Sequence, residues 1–83
     1  MRSMAMDPTQ CRMARAALGL TVDALGKLAG VRAATVSHFE AGGDSYRSTV
    51  DKLQAVLEAR GATFIAAGEA SLSGGAGVRL REA

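Results

Sequence analysis

Apolar residues recur at spacings of three and four along most of the chain, then switch to a spacing of two near its end. Cys11, Ala14 and Leu18 fall at i, i+3 and i+7, the period of one helix face. Just ahead of them, "DPTQ" supplies a start. Asp7 is an N-cap, Pro8 suits a first helical turn, and Gln10 stands where a capping box takes Glu or Gln. Gly19 ends this first helix. A second begins with Thr21 as N-cap and Asp23 in its first turn. Leu25, Leu28 and Ala29 form its expected buried stripe. Gly26 inside it costs about 1 kcal/mol relative to alanine, so close approach of another helix is expected there. Gly30 ends it. A third helix spans about 32–41 and stops at Gly42 and Gly43. A polar loop, "DSYRS" (44–48), follows. Ser48 then caps a fourth helix, with Asp51 three residues on. Val50, Leu53, Val56 and Leu57 are its apolar face, and Gly61 its stop. The expected core is Leu18, Leu25, Leu28, Val36, Phe39, Leu53 and Leu57.

The tail reads differently. "ATFIAAG" (62–68) is β-prone, and "GVRLRE" (77–82) alternates Val78 and Leu80 against Arg79 and Arg81. "EASLSGGA" (69–76) reads as a flexible loop, so the tail is expected to be a β-hairpin. At the other end, residues 1–6 hold one basic residue and no apolar stretch of signal-peptide length, and read as a loose leader. The divisions are therefore 1–6, a helical domain at 7–61, and a hairpin and tail at 62–83. The fold class is mainly α, with about four helices and a C-terminal β-hairpin.

The third helix is the least ordinary. Val36 and Phe39 share one face. Ala34, Ser37 and His38 share another, and that face carries no large apolar residue. The helix packs one side and offers small and polar groups on the other.

Composition narrows the reading. At 83 residues the chain is one domain, with a small core of the kind that gains from dimerisation. A single cysteine allows no intrachain disulfide and suggests a reducing, cytoplasmic setting. No apolar run is long enough to span a bilayer. The net charge of +2 permits a nucleic-acid partner without demanding one, because the ten Lys and Arg are spread along the chain. Phe39, Tyr46 and Phe64 are all the aromatics, too few for a single-strand stacking platform. His38 and the distant Cys11 make no metal site, and Cys11 suits the core as a small hydrophobe. "SGGAG" (73–77) has no lysine and no following helix, so it is no phosphate loop. No pair of carboxylates has catalytic spacing. An enzyme is not expected, and neither a cofactor nor a metal.

Two short helices joined by a tight turn at Gly30 are the sequence form of a helix-turn-helix. "LGLTVDALGKLAGVRAATVSHFEAG" (18–42) resembles the Cro/phage-repressor type, the XRE family. The likeness rests on Leu-Gly-Leu-Thr, Leu25, Ala-Gly-Val at 29–31, Thr35-Val36, and Phe39-Glu40 before a glycine. It extends more loosely over 9–60. The resemblance implies a lambda-repressor-like fold in which the third helix lies in the DNA major groove. It implies base contacts from Ala33, Ala34, Ser37 and His38. It implies phosphate contacts from Thr21, Arg32, Thr35, Tyr46 and Arg47. It also implies a structural ion pair of Arg15 with Glu40, and here the sequence agrees, since Arg15 borders the buried stripe and needs a partner. Three positions depart from the family pattern. Val22 stands where a phosphate-binding Gln is frequent, Arg32 replaces a Ser or Thr cap, and Gly43-Asp44 opens a loop that is often basic.

Two functions follow. One is a sequence-specific DNA-binding regulator, a dimeric repressor acting on a double-stranded operator, with a homodimer formed through residues 62–82. The other is a protein-binding module on the same fold, an antiactivator that captures a transcription activator or an antitoxin-like partner. Val22 and Asp44 speak for the second. The intact third-helix pattern speaks for the first.

Overall fold

The computed structural model describes residues 5–66 and 75–81. Four helices follow one another: α1 (Pro8–Ala17), α2 (Val22–Ala29), α3 (Ala33–Glu40) and α4 (Arg47–Ala59). Two strands close the chain, β1 (Ala62–Ile65) and β2 (Gly77–Leu80), paired antiparallel. This is the mainly helical fold with a terminal hairpin that the sequence pattern describes. Residues 67–74, which hold most of the expected loop, lie outside the described residues.

α1 starts as its sequence dictates. The Asp7 carboxylate accepts from the Gln10 N–H at 2.7 Å, and the Gln10 side-chain oxygen accepts from the Asp7 N–H at 3.0 Å. This reciprocal capping box satisfies two backbone donors that an α-helix start leaves unpaired. Gln10 does more than cap. Its amide nitrogen donates to the Ile65 carbonyl at 2.9 Å and to the Gly77 carbonyl at 3.0 Å. Ile65 and Gly77 face each other across the hairpin. One buried side chain thus ties the start of α1 to both strands.

The core gathers residues from every helix. Leu25, Val36, Leu53, Leu57, Cys11 and Ala14 are fully buried, and Phe39 nearly so. Val50 and Ala62 join them. Leu18 is half-buried and packs against this cluster from its side.

Several expectations need correction. Leu28 is not in the core and is 44% exposed. The reason lies at Gly26. A Cβ there would sit 2.7 Å from the Val31 carbonyl oxygen, so the backbone of the turn before α3 touches this glycine. The close neighbours are the turn and, as expected, the start of another helix: the Ala33 nitrogen of α3 would lie 3.4 Å from the same Cβ. α2 is rolled to bury Leu25 and Gly26, which leaves Leu28 facing outward. Met6 does not belong to a loose leader. It is buried, and its N–H donates to Gln54 Oε1 at 3.0 Å. Ser48 does not cap α4. The Tyr46 carbonyl already accepts from the Thr49 and Val50 N–H groups, so the helix begins at Arg47 and Ser48 lies in its first turn. Asp51 pairs with Arg47 at 3.0 Å instead.

Candidate nucleic-acid interface

α2 ends at Gly30, whose φ of +74° is a left-handed conformation natural to glycine. The chain turns through Val31 and enters α3. Three buried residues then fix α3's phase. Val36 and Phe39 go into the core, and Glu40 is buried beside them. With that face committed, Ala34, Ser37 and His38 point outward and are exposed. Ala33 is half-buried at the start of the helix, close to Gly26 of α2.

The C-terminal end of α3 is anchored by charge. Arg15 Nε donates to Glu40 Oε2 at 2.9 Å, and Arg15 Nη2 donates to Glu40 Oε1 at 2.9 Å. Both carboxylate oxygens are engaged in a two-pronged pair, the geometry that suits a guanidinium best. Arg15 Nη1 adds a bond to the Leu20 carbonyl at 3.1 Å, and Arg12 donates to the Glu40 carbonyl. The bond to Glu40 raises the Arg15 pKa further. The Cys11 thiol donates to Glu40 Oε2 at 3.3 Å. The expected ion pair is therefore present, and Cys11 belongs to it.

Cys11 pays for this position in reactivity. Burial first, and then its bond to Glu40, pushes the thiol from 9.0 up to about 12. The thiolate is the reactive form, so native Cys11 should resist alkylation at neutral pH. Modification in a thiol-labelling assay should appear only as denaturant unfolds the chain, and fast native labelling would contradict this placement. The same shift has a sign for stability. The unfolded thiol loses its proton near 9.0 while the folded one keeps it to about 12, so this contribution is complete below pH 9 and falls across that interval.

Beside α3 lies a cleft of about 730 Å³, lined by Arg32, Ala34, Thr35 and His38 from one side and Asp44, Ser45, Tyr46 and Thr49 from the other. Five of the residues expected to meet DNA converge here: Arg32, Ala34, Thr35, His38 and Tyr46. The helices that border it are also unusual at their starts. α1 and α2 are capped by Asp7 and Thr21, whereas no side chain caps α3 or α4. Their first N–H groups carry the positive end of the helix dipole and remain available to an anion.

The other expected contacts lie outside the cleft. Ser37 is on the exposed face of α3, and Thr21 is exposed at the start of α2. The Thr21 hydroxyl accepts from the Ala24 N–H at 3.0 Å, so it caps α2. Arg47 is exposed and paired with Asp51, a link weak enough at the surface to be exchanged for a phosphate. Ser45 and Thr49 are not among the residues expected from the sequence. Their one signal there is the polar run after Gly43. Asp44, one of the departures from the family pattern, puts a carboxylate into the same cleft as Arg32 and His38.

Two short helices joined by a tight turn, the second packed on one side and bare on the other, define a helix-turn-helix protein. Residues 12–62 match the helix-turn-helix family model, well over half of the chain, and the protein belongs to this Cro-type family of DNA-binding regulators. No curated protein matches the chain. Among the described residues, no helix is long and apolar enough to cross a membrane, and no group of His, Cys, Asp and Glu could hold a metal ion.

Proposed function

We propose that this protein is a sequence-specific DNA-binding repressor of the cytoplasm that acts as a homodimer and reads its operator with α3. The observation that carries this is the division of α3. One face is locked into the core through Val36, Phe39 and Glu40, which leaves Ala34, Ser37 and His38 exposed together. The chemistry of that face suits base edges. Alanine meets a thymine methyl, while serine and histidine hydrogen-bond in the major groove. Arg32, Thr35 and Tyr46, with the uncapped starts of α3 and α4, suit phosphate. Thr21 and Arg47 extend that role on either side.

Variants separate the two kinds of contact. Ser37→Ala and His38→Ala should weaken binding to a fragment of the gene's own promoter region by about 1–3 kcal/mol each, with little change on random duplex. Arg32→Ala and Arg47→Ala should weaken both and reduce the salt slope by about one. Equal losses on both DNAs from Ser37→Ala and His38→Ala would contradict base readout.

The dimer reading rests on the hairpin. Among the described residues β1 and β2 pair only with each other, so each keeps an outer edge open. Open edges recruit strands. Ala62, Phe64, Val78 and Leu80 share one face of the hairpin. Ala62 is buried in the chain's own core and Phe64 and Val78 pack against it, so Leu80, 42% exposed, is the part of that face left for a partner. The full chain should sediment as a dimer at about 50 μM, well above the dissociation constant of a weak micromolar pair. A monomer at that concentration would contradict it.

Asp44 favours a second reading. A carboxylate beside Arg32 in the cleft opposes phosphate and suits a basic group on a protein partner, as an antiactivator or antitoxin-like module would need. Asp44→Asn distinguishes the two: it should tighten DNA binding in the first case and weaken partner capture in the second.

A further inference from the structure

The turn that ends α3 has a definite form. Gly42 takes a φ of +93°, the Gly42 N–H donates to the Phe39 carbonyl at 2.9 Å, and the Gly43 N–H donates to the His38 carbonyl at 2.9 Å. These two bonds make a Schellman motif, which folds the second residue past the cap back over the third from the helix end. Here those two residues are Gly43 and His38. In many such turns two side chains meet at this place. In this chain one of them is absent, and the imidazole lies in the space. A Cβ built on Gly43 would collide with His38 Cε1 and Nε2 and lie 2.7 Å from Cδ2.

Gly42 and Gly43 therefore serve different ends. Gly42 is required by its backbone. Gly43 has no positive φ, so its φ does not call for glycine, and what is special is the space it leaves. We propose that Gly43 is a positioning residue for DNA reading: its bare backbone is a shelf that holds the His38 ring against the end of α3, in one orientation, on the face that meets the bases. This rests on the DNA-reading function proposed above. An exposed histidine free in solvent loses rotamer freedom when it binds. One already lying on a shelf loses less, and the difference goes to affinity for the correct site.

The test is Gly43→Ala in the full chain, alone and combined with His38→Ala. The backbone accepts alanine, and the unfolded chain loses freedom, so stability should hold or rise. The ring must leave its shelf. NMR should show contacts between the His38 ring and the Gly43 α-protons in the parent, and a His38 ring shift in Gly43→Ala larger than at any residue beyond the turn. Specific promoter binding should fall by about 2- to 10-fold, with binding to random duplex unchanged. In the His38→Ala background the same substitution should change nothing. A loss of equal size in that background would overturn the proposal, since Gly43 would then act by itself on the DNA. So would unchanged specific binding in Gly43→Ala. A parent protein with no preferred DNA site would overturn the DNA reading and this role with it. In the first two outcomes the DNA reading stands.

Discussion

Glu40→Ala should destabilise the protein by about 3–5 kcal/mol, the range for breaking a buried ion pair from one side. Glu40 is 6% exposed and accepts from Arg15 twice and from the Cys11 thiol once. Removing it strips Arg15 of its counter-charge in a place where water reaches only 22% of its side chain. The thiol loses its acceptor at the same time. Arg15 keeps one bond, to the Leu20 carbonyl. Arg15→Met combined with Glu40→Ala removes both charges, and should cost less than the two single changes summed. Urea unfolding of the four proteins gives the coupling. Strict additivity would show that the pair does not hold α3.

Phe39→Ala should cost about 3–5 kcal/mol, as for other large aromatic deletions from a packed core. The ring is 6% exposed and shares the core with Leu25, Val36, Leu53 and Leu57. A domain of this length has a total stability of about 4–12 kcal/mol, so the variant should lose at least about a quarter of it. A core with few large side chains has little that can move into the cavity. A loss under about 1 kcal/mol would put the ring outside the core and rotate α3, and with it the exposed face assigned to DNA.

Both expectations are legible in the chain itself. Val36 and Phe39 share a helical face, and a charged Arg15 at the border of the α1 stripe needs a partner. Short-range patterns of this kind report the face a helix buries. They do not report how far a helix is rolled by a neighbour. Leu28 fits the apolar stripe of α2 as well as Ala29 does, and only the contact of Gly26 with the Val31 carbonyl decides between them. Met6 carries no periodic signal, because it precedes the helix start, and its backbone is held by Gln54 far along the chain. Gln10 is legible as a cap. Its bonds to the two strands are not, since they join residues more than fifty positions apart. The DNA face follows from the helix pattern and the family resemblance together. The cleft that gathers Ser45 and Thr49 with it is made by the path of the loop, which no local spacing encodes.

Reading of a DNA sequence by α3 is tested most directly by affinity. The full chain is titrated against duplexes from the gene's own promoter region and against a random duplex, each at two salt concentrations. One promoter segment should bind at least about 10³-fold tighter than random DNA, with the advantage lost in Ser37→Ala combined with His38→Ala. Equal affinity for every duplex, falling with salt alone, would contradict sequence reading by α3.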